Sequence, residues 1–507
     1  MTPRVPPVDR ALLVLALAAS LMIASCSSGG SNNAGNRSST STATSSAQGK
    51  RAANELSWHD CGHVECASLD VPLDWKHPNR SKIKLGLARR PAGGDRVGAL
   101  LVNPGGPGGS GIEVVKDAAD YFPQEALDRF DIVSWDPRGV GDSTPVDCGQ
   151  NLDYFYAVDA NGTDVATARA TEAVSKRFVN ACKKESSRLL PYVSTDATVR
   201  DMEAVRAALA EPKINYVGFS YGTLIGALYA QKYPTHVRAM VLDGAIDPAE
   251  SGEKSLLEQA AAFDGSLDAF FKWCRDNNDC KFARGADPSV AYDNLMTSLK
   301  SETLPGEVDG EERTLGAGEA NIGVAAALYG GEDAYKDLGT ALNDAARGNG
   351  SKLLQFSDSY TGRQVGGIYD NETAATYAIG CLDGGAPKSL AATRALAKRA
   401  ARVAPRFGPS SVWLGLPCTY WPVRPVGTSG AIHAPKAPPI VVIGTTDDPA
   451  TPYASAQSLA KQLRSGHLLT YVGEGHTVYG RGDECVDNTV NDYLISLDVP
   501  KAGVRCK

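Results

Sequence analysis

Three residues of the chain, Ser220, Asp448 and His476, have the types and the order needed for nucleophilic acyl transfer. The apolar run Ile214-Asn215-Tyr216-Val217 leads directly into Gly218-Phe219-Ser220-Tyr221-Gly222, and a helical pattern from Thr223 to Tyr229 follows. Strand, tight turn and helix in that order make a nucleophile elbow: side chains at positions 218 and 222 would collide with neighbouring backbone, and the bend lifts the Ser220 hydroxyl clear of the strand end. A hydroxyl is a poor nucleophile at neutral pH, so a base must take its proton. His476, in Val472-Gly473-Glu474-Gly475-His476 just past an apolar run, is placed for this as no other histidine is. An acid must then fix the imidazole tautomer and stabilise its charged form. The turn Gly444-Thr445-Thr446-Asp447-Asp448-Pro449 offers Asp448, with Asp447 as the alternative. The oxyanion formed on attack needs backbone donors. Tyr221, next after the nucleophile, supplies one, and the glycine-rich loop Asn103 to Gly111 supplies another, which we assign to Gly106 because Pro107 has no N–H.

These groups must be held by a sheet. Short apolar runs at 97–102, 130–135, 214–219, 239–242, 439–443 and 468–472 each end in a Gly-rich or polar turn, and helical patterns lie between several of them, at 112–121, 197–209 and 223–232. This alternation predicts an α/β protein with a mostly parallel, doubly wound sheet. Between residues 246 and 404 the rhythm gives way to helical stretches such as 254–277 and 321–346, which we read as a large helical cap inserted into a core of residues 54–245 and 405–507. The glycine loop lacks the Lys-Ser/Thr pair of a phosphate-binding loop, so nucleotide binding is not expected, nor any other cofactor.

Arg4 and Arg10, an apolar run from Ala11 to Ala24, and Ile23-Ala24-Ser25-Cys26 read as a lipoprotein signal peptide over residues 1–25, with Cys26 as the lipidated residue of an exported protein. A Ser/Gly/Thr-rich tether over 26–53 follows. The protein is expected to face the exterior of the cell envelope on a membrane anchor, or to be secreted. The other ten cysteines favour disulfides in that compartment, and pairing neighbours along the chain gives 61 with 66, 148 with 182, 274 with 280, 381 with 418 and 485 with 506. His59, Cys61, His63 and Cys66 are too tightly spaced to surround one zinc ion, so no metal is expected. A net charge of −7 spread along the chain gives no nucleic-acid surface.

The segments Asn-Pro-Gly-Gly-Pro-Gly-Gly-Ser-Gly at 103–111, Asp-Pro-Arg-Gly-Val-Gly-Asp-Ser at 136–143, Gly-Phe-Ser-Tyr-Gly-Thr at 218–223 and Asp-Pro-Ala-Thr-Pro at 448–452 before His476 together resemble the α/β-hydrolase exopeptidases. That group includes proline iminopeptidases and, more closely, actinobacterial tripeptidyl aminopeptidases and their mycobacterial lipoprotein relatives. The resemblance implies Ser220, Asp448 and His476 as a catalytic triad, Gly106 and Tyr221 as the oxyanion hole, and a peptide or protein substrate from which short N-terminal pieces are released through an acyl-enzyme on Ser220. Asp136 and Arg138 are expected to stabilise a loop. An aminopeptidase needs an anionic group for the substrate ammonium, and Asp243, Asp383 and Glu474 are the candidates. An esterase or lipase with the same triad is the alternative, and a non-catalytic peptide-binding lipoprotein the lesser one.

Overall fold

The computed structural model describes residues 56–162, 164–427 and 430–507. The signal peptide, the tether and Cys26 expected from the sequence lie outside these residues. The main sheet is built from β1 (His59–Asp60), β2 (Glu65–Pro72), β3 (Lys82–Arg90), β4 (Gly98–Asn103), β5 (Phe130–Trp135), β6 (Ile214–Phe219), β7 (Val237–Asp243), β8 (Ile440–Asp447), β9 (Gly466–Glu474) and β10 (Arg505–Cys506). Its order is β1-β2-β3-β5-β4-β6-β7-β8-β9-β10. Strands from β5 to β10 run parallel, whereas β1, β2 and β3 form an antiparallel edge.

β4 to β7 are buried almost throughout, because helices cover both faces of the sheet. Alternate residues go to opposite sides: Ala99, Leu101 and Tyr216 pack into one apolar layer, and Leu100, Val102 and Val217 into the other. The second layer is closed by helix α1 (Gly111–Lys116), through Ile112 and Val115. In the first, α2 (Val165–Ser186) contributes Phe178, α3 (Thr195–Ala208) Val199, Met202 and Val205, and α4 (Tyr221–Lys232) Ile225 and Tyr229.

The chain between β7 and β8 leaves the sheet and returns. It includes α5 (Gly252–Asp276), α6 (Ala317–Leu328), α7 (Glu332–Ala346), α8 (Glu372–Asp383), α9 (Leu390–Val403) and α10 (Gly408–Leu414). Its own apolar cluster holds Phe263, Phe270, Val324, Leu338 and Phe407. Three details depart from expectation. The segment is not purely helical, since Leu304–Val308 and Glu311–Leu315 form an antiparallel hairpin. Its packing crosses Ala404, because Leu396 and Ala400 share a cluster with Val412, Trp413 and Leu416. The single helix read at 321–346 is two, broken at Gly330 and Gly331. Gly331 has φ +61°, and a Cβ there would lie 2.7 Å from the carbonyl carbon of Glu474, so only glycine allows this close approach to the end of β9.

All five expected disulfides form: Cys61–Cys66, Cys148–Cys182, Cys274–Cys280, Cys381–Cys418 and Cys485–Cys506. No helix among the described residues is long and apolar enough to cross a membrane.

Candidate active site

Ser220 sits between β6 and α4 with φ 53° and ψ −122°, a strained conformation for a residue with a side chain. The turn closes only because its flanks are glycines. A Cβ on Gly218 would lie 2.5 Å from the carbonyl oxygen of Gly222, and one on Gly222 2.5 Å from that of Asn103. The Ser220 amide donates to the carbonyl of Asp243 at the end of β7 (2.8 Å), which anchors the bend to the next strand. Tyr221 opens α4, so its amide has no acceptor within the helix.

The loop after β4 lies against this elbow. A Cβ on Gly105 would come within 2.6 Å of the Phe219 carbonyl and 3.0 Å of both Ser220 Cβ and the Tyr221 nitrogen. Gly106 follows at φ +103°. The far end of the loop is held by Asp136, whose Oδ1 accepts from the Ser110 hydroxyl (2.7 Å) and the Ile112 amide (3.1 Å), and whose Oδ2 accepts from the Asp142 amide (2.7 Å). Arg138 forms a fully buried pair with Asp201, Nε to Oδ2 and Nη2 to Oδ1 both at 2.6 Å, and also donates to the carbonyls of Pro72, Leu73 and Tyr192. Both residues of the Asp-Pro-Arg segment brace loops.

His476 lies on the turn after β9. Its Nδ1 is 2.9 Å from each oxygen of Asp448, and its buried Nε2 has no hydrogen-bond partner among the described residues. Asp448 Oδ1 also accepts from the amides of Ala450 (2.8 Å) and Thr451 (2.9 Å), and Oδ2 from the Thr451 hydroxyl (2.9 Å). Asp447, the alternative, is exposed and meets Thr446 instead. The imidazole reaches the elbow through Gly244: a Cβ there would lie 2.9 Å from His476 Cε1, and the preceding residue is the one that binds the Ser220 amide. Tyr329, at the break between α6 and α7, accepts from the His476 amide (2.9 Å) and sets its ring edge-on to the imidazole, 5.3 Å between centroids.

The three carboxylates proposed for a substrate ammonium are otherwise engaged. Asp243 is wholly buried, and its Oδ2 accepts from the amides of Val478 and Tyr479, both 2.9 Å away. The strand end that brought it near the site also turned it inward, toward the turn that carries His476. Asp383 accepts from the Thr195 amide (3.0 Å), the Thr195 hydroxyl and the Tyr221 hydroxyl (3.2 Å), and burial pushes its carboxyl up to about 6. Glu474 accepts from the Tyr335 hydroxyl.

Two functional candidates had no signal in the sequence. Thr451 contacts the Asp448–His476 pair, its hydroxyl 3.3 Å from Nδ1. Glu372 opens α8 and has no side-chain hydrogen bond or ion pair among the described residues; burial and the neighbouring Asp370 push its carboxyl up to about 7. α8 rests on the glycine loop, since the Thr376 hydroxyl donates to the Pro107 carbonyl and a Cβ on Gly108 would lie 2.7 Å from the Glu372 carbonyl oxygen.

Residues 98–284 match the family model described as alpha/beta hydrolase fold, and residues 404–506 the one described as TAP-like protein. The chain is 36% identical to the serine protease Hip1 of Mycobacterium tuberculosis over 88% of each chain, and 35% identical to a carboxylesterase B of the same species over 90% of each. A tripeptidyl aminopeptidase of Streptomyces lividans is 28% identical over 89% of this chain and 86% of that one. With its parallel sheet, inserted helices and serine elbow, the chain belongs to this family of α/β-hydrolase serine hydrolases.

Proposed function

We propose that the protein is a serine aminopeptidase that releases short N-terminal peptides, with Ser220 as nucleophile, His476 as general base and Asp448 as the acid that orients it. The observation that carries this reading is the Asp448–His476 pair, closed at Nδ1 and open at a buried Nε2, beside an elbow that strains Ser220. Ser220 Oγ attacks the scissile carbonyl while His476 Nε2 takes its proton, and Asp448 stabilises the resulting imidazolium. The amides of Tyr221 and Gly106 receive the oxyanion. His476 then returns the proton to the departing amine, and water, activated by the same nitrogen, releases the acyl group from Ser220.

The name of the tripeptidyl aminopeptidase relative supports release of short N-terminal peptides. Glu372, an unpaired carboxylate beside the glycine loop, fits the substrate ammonium. The carboxylesterase B relative favours ester cleavage as a second reading. For the wider setting we propose export and lipid anchoring at Cys26, a reading supported by the signal-like N-terminus and the five disulfides.

Aminoacyl, tripeptidyl, N-blocked peptide and simple ester reporters, tested on the wild type and Ser220→Ala, discriminate these readings. Tripeptidyl reporters are cut fastest by the wild type and not by the variant. Full activity in Ser220→Ala would refute the mechanism, and cleavage of N-blocked peptides alone would refute the aminopeptidase assignment.

A further inference from the structure

We propose that Thr376 and Asp383, on one face of α8, are positioning residues for the oxyanion hole: Thr376 fixes the loop that carries the Gly106 amide, Asp383 fixes Tyr221, and the helix between them sets the spacing of the two donors. The inference rests on the roles given to Ser220, Gly106 and Tyr221 above, and holds for ester as for peptide cleavage.

The sheet does not hold the glycine loop by itself. β4 pairs with β6 as far as Asn103 opposite Gly218, and the loop leaves the sheet there. Four of the seven residues from 104 to 110 are glycines, and Gly105, Gly106 and Gly108 have positive φ, so the backbone has little stiffness of its own. Within the loop, the Gly105 amide donates to Asn103 Oδ1 (3.1 Å) and the Gly109 amide to the Gly105 carbonyl (3.2 Å). Pro107, in the middle, has only a carbonyl to offer, and the Thr376 hydroxyl donates to it. A threonine inside a helix ordinarily donates to the carbonyl four residues back. Thr171, Thr297, Thr340, Thr361 and Thr393 do so. Thr376 turns to the loop instead, and Gly108 packs so closely on that turn of α8 that a Cβ would lie 2.8 Å from the Thr376 hydroxyl oxygen.

The other end of α8 meets the elbow. Asp383 is the last residue of the helix, where a carboxylate faces the negative end of that helix's own macrodipole. Its partners lie elsewhere, at the starts of α3 and α4. Oδ1 accepts from the Thr195 amide (3.0 Å), one of the amides a helix leaves unpaired at its start, and Oδ2 from the hydroxyls of Thr195 and, at 3.2 Å, Tyr221. Those two hydroxyls also meet each other. Tyr221 is buried in the apolar cluster that also holds Ala378, Ile379 and Leu382 of α8, so its ring is fixed at both ends, by the elbow backbone and by Asp383 with Thr195.

Thr376 and Asp383 are seven residues apart, two helical turns and about 10 Å, so both project from one face of α8. Along that face the two halves of the oxyanion hole are tied to a single rod. The gap between the halves is tight, since a Cβ on Gly105 would lie 3.0 Å from the Tyr221 nitrogen, and a small shift at either end alters the donor geometry. Asn371, just ahead of the helix, completes the seating. Its Oδ1 accepts from the Gly141 amide (2.8 Å) and its Nδ2 donates to the Gly139 carbonyl (2.8 Å), on the segment whose Asp136 holds the far end of the loop.

The test uses Thr376→Val and Tyr221→Phe, which delete one hydroxyl each at nearly constant volume, their double variant, and Thr376→Ser as the conservative replacement. Each is assayed by steady-state cleavage of tripeptidyl and ester reporters and by binding of the tripeptide acid that the reporter releases. Inhibition by a peptidyl trifluoromethyl ketone probes the hole itself: Ser220 Oγ adds to the ketone carbon, its proton passes to His476, and the ionised oxygen sits between the two amides. Each single variant lowers kcat about 10-fold, less than the roughly 10²- to 10³-fold that follows loss of a whole oxyanion donor. The ketone Ki rises by a similar factor, KM and product binding stay within about twofold, and Thr376→Ser recovers most of kcat. Because one rod sets one spacing, the double variant loses little more than the larger single loss, whereas independent sites would multiply to about 100-fold. Single variants with kcat within about twofold of the wild type, a loss that the ketone Ki does not follow or that product binding shares, or multiplicative losses overturn the inference and leave the peptidase reading intact. Full activity in Ser220→Ala overturns both.

Discussion

Asp448→Asn is the sharpest test of how the site works, because the hydrogen bonds around the carboxylate dictate which way the new amide must face. Oδ1 accepts from two backbone amides, so the carbonyl oxygen of asparagine has to stay there, and the NH2 group must occupy the Oδ2 position. The Thr451 hydroxyl can rotate to accept from it. His476 Nδ1 lies 2.9 Å from both positions, and it can accept from the new NH2 only if it carries no proton, which favours the tautomer with the proton on Nε2. In that tautomer Nε2 has no lone pair for the Ser220 proton. The equivalent change in the serine-protease template lowers kcat by about 10⁴-fold, which is about 5 kcal/mol of transition-state stabilisation at 1.36 kcal/mol per decade. The volume and most of the hydrogen bonds are kept, so the melting temperature is expected to stay near that of the wild type. The assay is steady-state cleavage of a tripeptidyl chromogenic reporter, with the rate of Ser220 labelling by an organophosphonate as an independent measure. Asp447→Asn, at an exposed position, serves as control and is expected to change kcat less than twofold, an order-of-magnitude bound for a surface site. A folded Asp448→Asn enzyme with kcat within tenfold of the wild type would refute the reasoning, as would equal damage from Asp447→Asn.

Asp243→Ala leaves the buried amides of Val478 and Tyr479 without an acceptor, and is expected to cost about 2–4 kcal/mol by chemical denaturation and to lower kcat as the His476 turn loosens; stability and turnover equal to the wild type would contradict that role. Glu372 titrates at about 7 and can pair with an ammonium only as the carboxylate, while a peptide amine loses its proton above about 8. The ratio of kcat/KM for free-amine over N-acetylated peptides is therefore bell-shaped, falling as pH drops through 7 and again above 8. Asp370, Tyr121, Tyr329 and Tyr360 face Glu372, and the ratio cancels ionisations common to both substrates, so a ratio independent of pH would exclude Glu372 from ammonium binding. Replacing Cys485 and Cys506 by serine opens a loop with a sequence separation of 21 residues. Loop-closure entropy puts the loss at about 3 kcal/mol, and differential scanning calorimetry of the purified protein reads it.

The sequence disclosed the elements whose local pattern agrees with their tertiary role. β5 and β6 begin and end where their apolar runs do, and the elbow is legible because strand, glycines and helix are contiguous. The antiparallel edge of β2 and β3 was missed: their burial alternates with exposed charged residues such as Asp70, Lys82 and Lys84, which dilutes the apolar signal. α2 was missed because its surface is dominated by Lys, Arg and Glu, with small or polar residues such as Ala168, Thr171 and Ser175 among its buried positions. The choice of Asp448 over Asp447 follows from which neighbour turns inward at the end of β8. The fate of Asp243 depends on two amides more than two hundred residues away, and no local pattern reports that. Tyr329 reaches His476 only because the helix breaks at Gly330 and Gly331, a pair that a helical window averages away.

The five disulfides also divide the molecule in a way that bears on access to Ser220. Two lie in the chain between β7 and β8, and the other three join residues outside it, so among the described residues no disulfide passes from that segment to the rest of the sheet domain. Beyond the chain itself, the two are joined by noncovalent contacts such as Tyr329 on His476, Tyr335 on Glu474 and α8, which rests on the glycine loop and shares an apolar cluster with the sheet through Ala375 and Ile379. Oxidation can therefore harden each part against proteolysis and heat without tying one to the other. Their seating on one another rests on packing and hydrogen bonds alone.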